Sequence, residues 1–318
     1  MSLNQAVKIV AAGTAQVVDA PIPQFPADDY NLVKIIAVAV NPTDWKHIEN
    51  VEYFGCIGCR VGCDYAGVVE EVGLSQLTQR SRWQLGQSRE IYRSTFPLGF
   101  LEEAATLGVA MTTVGQALYQ TLNLPLPTAT AEMGKHIFIN GGSTAMRIFG
   151  IQYAKMSGFT VSATSSPHNF NYLKSLVSDA VFDYKSPTVS ADDCQSAEES
   201  VILVDNAFST EGGIVSTLLP VSEEVLQRTN PKARMEMSLY YSVFGEPFSF
   251  LALYDAVPEN YEFGGRFQEI SRNLLEQENL RPIRSIKNHG GSGLEDVLVG
   301  LEELKKGRVT AGKLVYTL

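Results

Sequence analysis

The chain has 318 residues, 45% of them hydrophobic and 19% charged, with a formal net charge of -10. That length suits about two domains of ordinary globular composition. The acidic balance and the lack of a basic cluster argue against a nucleic-acid partner, and no run approaches the roughly 18 apolar residues of a membrane span.

The N-terminus, Met1-Ser2-Leu3-Asn4-Gln5, lacks a basic n-region, so no signal peptide is expected. Four cysteines in a chain of this length fit a reducing compartment, and a cytoplasmic location is expected. Residues 7–18, VKIVAAGTAQVV, predict a hairpin that turns at Gly13-Thr14. Pro21, Pro23 and Pro26 mark an irregular connection. Residues 31–40 form a long predicted strand, which Asn41-Pro42-Thr43-Asp44-Trp45-Lys46 ends, capping a short helix. Residues 63–72, between Gly62 and Gly73, read as a further strand. This block has no βαβ rhythm and predicts a small, mostly antiparallel domain.

The stretch from His136 to Tyr184 has a different period. A short apolar run, Ile137-Phe138-Ile139, leads into Asn140-Gly141-Gly142-Ser143-Thr144-Ala145. A helical pattern follows, with Ala145, Phe149, Tyr153 and Met156 on one face and Gly158 as its stop. Phe159 to Thr164 is strand-like, and Ser166-Pro167 opens a second helix. Strand, glycine turn, helix, strand and helix make the series of a dinucleotide-binding Rossmann fold. Gly141 and Gly142 allow a pyrophosphate close to the backbone, and Ser143 and Thr144 stand at a helix N-terminus where a phosphate is favoured. Any βαβ unit with a glycine turn shares these features, since the strict G-x-G-x-x-G is not met. At the end of the second strand stand Ser165-Ser166-Pro167-His168-Asn169, with no carboxylate to bind ribose hydroxyls. Hydroxyl, imidazole and amide donors there, with Lys174 further on, favour the 2′-phosphate of NADP(H). The alternative is an ordinary Ser-Pro helix cap with Lys174 solvated.

NPTDWK, GCDYAGVVEEVG, LGVAMTTVGQALYQTLNLPLP, INGGSTAM, SATSSPHNFNYLKS followed by VFDY, and KKGRVTAGKLVYTL together resemble one family. They are similar to the fungal trans-acting enoyl reductases that serve highly reducing polyketide synthases, as in the lovastatin pathway. Those proteins are zinc-free members of the medium-chain dehydrogenase/reductase superfamily. The resemblance implies an α/β chain: a GroES-like β-rich catalytic domain at 1–123 and 265–318, and a Rossmann doubly wound parallel-sheet domain at 124–264. It implies NADPH-dependent reduction of α,β-unsaturated polyketide thioesters by a monomer, in partnership with the synthase and its acyl-carrier-bound substrate. It places the cofactor against Thr43, Asp44, Trp45 and Lys46, and against the turn of Gly141, Gly142, Ser143, Thr144, Ala145, Met146 and Arg147. Ser166, Pro167, His168, Asn169, Phe170 and Lys174 follow, with Tyr184 on the adenine side. Phe244 and Gly245 resemble the loop passing the nicotinamide, and Ala311 and Gly312 a return loop touching the cofactor. Lys46 and Thr113 are the implied catalytic residues. The implied substrate-channel helix comprises Thr113, Val114, Gly115, Gln116, Ala117, Leu118, Tyr119 and Gln120, and close helix packing is its alternative.

Zinc members carry Cys where this chain has Thr43 and His-Glu where it has Asp64-Tyr65, so no metal is expected. Cys56, Cys59 and Cys63 are closely spaced thiols without a nearby fourth ligand and read as buried free cysteines. Tyr65 is a possible proton donor or a packing residue. The chain departs from the family pattern twice. Leu74 to Tyr92 has no clear strand period where a Gly-Asp-Arg-Val-like strand is implied. Near Val204 to Gly213 the chain leaves little room for the implied helix. Divergence or a misplaced exon boundary would each give this pattern. The departures keep two other functions open: a non-catalytic relative acting as a binding protein, and a zinc-free quinone or enone reductase.

Overall fold

The structure, a computed structural model, describes residues 4–24, 30–73, 100–128, 135–176, 178–183, 185–186, 201–205, 212–218, 231–250 and 252–318. The chain divides into two compact units, residues 1–109 with 241–318, and residues 110–240. The divisions fall earlier than the expected 123/124 and 264/265, for a packing reason. The segment Gln116–Thr121 lies against three strands of the second unit's sheet. The helix Pro258–Glu276 belongs with the first unit, where Gly264 packs on Val243.

In the first unit, β1 (Asn4–Ala11) and β2 (Thr14–Ala20) form the expected hairpin, with Gly13 at φ 71 in the turn. A second sheet runs in the order β13, β14, β3, β4. Its strands are β3 (Asn31–Ala39), β4 (Asp64–Val72), β13 (Ser285–Lys287) and β14 (Lys313–Thr317). All its pairings are antiparallel except β13 with β14. β11 (Phe248–Phe250) and β12 (Ala252–Tyr254) make another small hairpin. The alternating burial of β1 places Val7 and Ile9 inward, as a half-buried strand requires. Ile9, Ile48, Val51, Leu301, Leu314 and Tyr316 then meet in one core.

The second unit holds a six-stranded sheet in the order β10, β9, β8, β5, β6, β7. The strands are β5 (His136–Ile139), β6 (Thr160–Ser165), β7 (Ala180–Asp183), β8 (Val201–Asp205), β9 (Gly213–Thr217) and β10 (Ala233–Met237). Renumbered within the unit, this is the 3-2-1-4-5-6 order of the Rossmann fold. β5, β6 and β7 are parallel, as are β9 and β10. β8 is the exception to the expected all-parallel sheet, because it pairs antiparallel with both β5 and β9. A parallel crossover needs about a dozen residues or more. Only residues 206–212 join β8 to β9, which permits a reversal but not a crossover helix. Ile137, Ile139, Phe149, Tyr153, Val161 and Leu173 are fully buried around this sheet.

Candidate active site

The helix that carries Lys46, α1 (Pro42–Glu49), starts where the sequence places it. Asn41 is extended at φ -123 and ψ 155, and proline takes the first helical position, where it needs no hydrogen bond. The Asn41 backbone N–H donates to Asp44 Oδ2 at 2.7 Å, so the third helical residue reaches back to satisfy the cap. Lys46 stands half-buried, with Nζ 5.5 Å from the centre of the Trp45 ring. Thr43 has a buried hydroxyl with no hydrogen-bond partner among the described residues.

Beneath α1 lies a buried cluster of charge. Asp44, Asp64 and Lys313 are 2%, 4% and 3% exposed. Lys313 Nζ pairs with Asp64 Oδ2, which also accepts from Asn41 Nδ2 at 2.9 Å. Asp64 Oδ1 accepts from the Val109 backbone N–H at 2.8 Å, in the first turn of the helix Gly108–Gly115. Burial raises the Asp44 carboxyl to about 7, against the hydrogen bond from the Asn41 backbone. The Asp64 charge raises it further, while Lys313 and the Cys63 thiol oppose the rise. Asp44 therefore titrates near neutrality.

An aromatic group also packs against α1 at His47. The His47 ring meets Phe54 edge-on at 4.2 Å, and Tyr241 Oη lies 3.4 Å from His47 Nε2. Tyr241 in turn contacts Phe248 and Phe250. Burial lowers the His47 imidazole below its ordinary value, partly offset by a hydrogen bond to the Thr43 backbone. Burial also raises the Tyr241 phenol, helped by Cys63, Asp44 and Cys56. Tyr65, the possible proton donor, is half-buried, and burial raises its phenol too. Phe244 ends a short helical turn and Gly245 follows at φ 68, with Tyr261 against it. Ala311, at φ 51, and Gly312 lead into β14, so this return loop ends on the buried Lys313.

In the second unit the glycine turn is tied to the neighbouring strand. Gly141, at φ 66, donates its N–H to Thr164 Oγ1 at 2.7 Å, and that hydroxyl donates to Asn140 Oδ1 at 2.7 Å. The Gly142 N–H donates to the Thr164 carbonyl at 2.7 Å. A Cβ on Gly142 would lie 3.1 to 3.2 Å from Ala163, Leu173 and Ile151, so the turn sits directly on the sheet and helix core. Thr144 is the extended cap of the helix α2 (Ala145–Met156). Ser143 is half-buried, as are Ala145 and Met146, and Thr144 is exposed. Arg147 is buried, and its guanidinium would stand 2.7 Å from a Cβ on Gly141. Burial lowers it to about 10, which leaves it charged at neutral pH. Gly158, at φ 88, ends the neighbourhood of this helix as expected.

The end of β6 supplies the other half of the turn's surroundings. Ser165 Oγ and Asn169 Nδ2 are buried and have no hydrogen-bond partner among the described residues. Ser166 caps a turn of 3-10 helix, Pro167–Asn169, which continues as the helix Phe170–Ser175. Pro167, His168 and Lys174 are exposed, and Phe170 is half-buried. Tyr184 lies outside the described residues, as do 74–99 and the fourth cysteine, Cys194. A dinucleotide fits this group: the turn admits no side chain at Gly142, a buried cation flanks it, and unpaired donors wait at a strand end free of carboxylate.

The implied substrate helix is a buried one. Thr113 is 3% exposed, Val114, Ala117 and Leu118 are fully buried, and Tyr119 Oη lies 3.0 Å from Ser157 Oγ. From Gln116 to Thr121 the backbone winds as a π-helix, a form frequent at functional sites. Cys56 and Cys63 are buried free thiols, whereas Cys59 is exposed, which corrects the expectation of three buried ones. Cys59 stands in a loop hydrogen-bonded to Ile9, which leaves its side chain outside the core. Among the described residues no group of three or more His, Cys, Asp or Glu converges as a metal site would, and no helix is long and apolar enough to cross a membrane. Sequence reasoning missed the roles of Asp64, Lys313, Thr164 and Tyr241. Only the Asn41-to-Asp44 spacing, a capping pattern, carried a local signal.

Residues 27–93 match the alcohol dehydrogenase GroES-like domain. Trans-enoyl reductase ACTTS2 of Alternaria alternata is 33% identical over 366 residues, covering 100% of both chains. That span exceeds the 318 residues of this chain, so the relative has stretches without a counterpart here. Trans-enoyl reductase TOXD of Cochliobolus carbonum is 41% identical over 287 residues, 78% of this chain and 93% of that one. The CurK enoyl reductase structure superposes with a TM-score of 0.65 at 15% identity over 98% of each chain, which shows the shared fold. The sheet order, the glycine turn and the full-length identity converge: the chain belongs to the fungal trans-enoyl reductases, oxidoreductases of the medium-chain dehydrogenase/reductase superfamily.

Proposed function

We propose that the chain is an NADPH-dependent enoyl reductase that acts in trans on α,β-unsaturated acyl thioesters carried by a highly reducing polyketide synthase. The observation that carries the cofactor choice is the carboxylate-free end of β6, where Ser165 Oγ and Asn169 Nδ2 are buried without partners. Those donors, with Ser166, His168 and Lys174, suit a 2′-phosphate better than free ribose hydroxyls. Gly141 to Arg147 would hold the pyrophosphate at the N-terminus of α2, with the buried Arg147 cation beside the turn. When bound, NADPH supplies a hydride to the β-carbon of the thioester. Lys46 offers an ammonium to the oxygen on which negative charge develops. A proton from a side chain or water then completes the α-carbon. Thr113 and the helix after it line the acyl chain's path. Free thiols at Cys56, Cys59 and Cys63 agree with a cytoplasmic location. The protein acts as a monomer, which size-exclusion chromatography checks.

NADPH consumption with a crotonyl thioester tests the activity. Turnover of the thioester, abolished or reduced about a hundredfold in Lys46→Ala, is the expected result. Turnover of quinones without thioesters would move the assignment to a quinone reductase. NADPH binding without turnover of either would leave a binding protein. NADPH should also bind more tightly than NADH, and Lys174→Ala should narrow that gap by a few-fold, as for one exposed charge.

A further inference from the structure

We infer that Asp64 is a positioning residue, a single buried carboxylate that holds three segments of the first unit in register: the N-terminus of the Lys46 helix, the first turn of the helix that continues to Thr113, and the return loop before β14. The inference rests on the function proposed above, because that reading gives those segments their role. The geometry is independent of it. Asp64 Oδ2 accepts from Asn41 Nδ2 at 2.9 Å, and Asn41 is the residue that begins α1. Asp64 Oδ1 accepts from the Val109 N–H at 2.8 Å. Lys313, next to Gly312, pairs with the same carboxylate. The contacts join residues 23, 45 and 249 positions away from Asp64.

A carboxylate suits this task for a physical reason. It has two oxygens that accept about four hydrogen bonds, and its charge repays the burial of the lysine ammonium. The helix N-terminus at Val109 adds a favourable dipole. An amide in the same place has one accepting oxygen and must turn a donor toward Asn41, Val109 or Lys313. At least one anchor is then lost. Asp64 acts through the segments it holds. Misplacing a reactive group by about 1 Å costs up to about a hundredfold in rate.

The experiment uses the full chain and three variants. Asp64→Asn keeps the volume, and Asp64→Leu with Lys313→Met removes the buried ion pair together, so that neither partner is left without the other. Lys305→Met is the control, because Lys305 holds the same helix from outside through Glu49 at 2.6 Å. Sites are counted by NADPH fluorescence titration, and kcat is expressed per bound NADPH. Both Asp64 variants should lose at least about tenfold in kcat per site, and the control should stay within about twofold. Hydrogen exchange should loosen residues 41–50, 108–115 and 311–317 together. An unchanged kcat per site, with activity falling only as sites are lost, would overturn the inference, as would loosening confined to one segment. Should the native chain bind NADPH yet reduce no thioester, the enzymatic reading fails. The exchange pattern then decides the anchor by itself: three segments together uphold it, fewer overturn it.

Discussion

The glycine turn of the second unit and the charged cluster of the first unit are built by opposite means. The turn is mostly backbone: Gly141 and Gly142 donate to Thr164, and the absence of a Cβ is the feature that matters. The cluster is centred on side chains: Asp44, Asp64 and Lys313 lie out of water, where each charge needs its partner. A backbone site tolerates change in the chemistry around it but not added volume. A buried ionic site tolerates neither the loss of a partner nor a change in protonation.

The sharpest way to break this contrast is to remove one charge. Lys313→Met leaves Asp64 buried without its cation and should cost about 3–5 kcal/mol in urea unfolding. A cost under about 1 kcal/mol would mean that the cluster behaves like a surface pair. Next comes the protonation of Asp44. Its folded value of about 7 lies above the unfolded value of about 3.9. Stability from this group is therefore full below about pH 4 and is lost as pH rises towards and through 7. Between about pH 4 and 7 the native chain should lose stability steadily as pH rises, through this carboxyl. Asp44→Asn keeps an acceptor for the Asn41 N–H and should remove that slope; parallel slopes would refute the assignment to Asp44.

The turn should respond to volume instead. Gly142→Val must push against Ala163, Leu173 and Ile151, at an expected cost of about 1–3 kcal/mol, with weaker NADPH binding and little dependence on pH. Thermal melts at pH 5 and 7 with a cofactor titration would show it. The smallest effect marks the edge of the first unit's site. Cys59→Ser alters an exposed thiol outside both networks and should change stability by less than about 0.5 kcal/mol and leave turnover intact.

Legibility in the sequence followed the distance between interacting residues. The hairpin at Gly13, the cap at Asn41 and the helix stop at Gly158 depend on neighbours within a few positions, and each stands where the sequence placed it. The short link between β8 and β9 was visible as a missing helix, but its effect on strand direction was not. A count of residues limits how a chain can return, and pairing with β5 and β9 settles which way it runs. The domain boundaries shifted for a similar reason, since Gln116–Thr121 joins the sheet it packs on and not the segment it follows.

By itself the sequence determined the strand and helix series, the glycine turn and the family, because periodicity, glycine placement and local capping are short-range properties. The tertiary structure alone decided that β8 is reversed, that Cys59 is exposed while Cys56 and Cys63 are buried, and that Asp64 meets Lys313. Composition gives no sign that two ions 249 positions apart share a dry interior. Burial brings them together, and burial makes their pairing obligatory, because an ion removed from water keeps its charge only where another group compensates it.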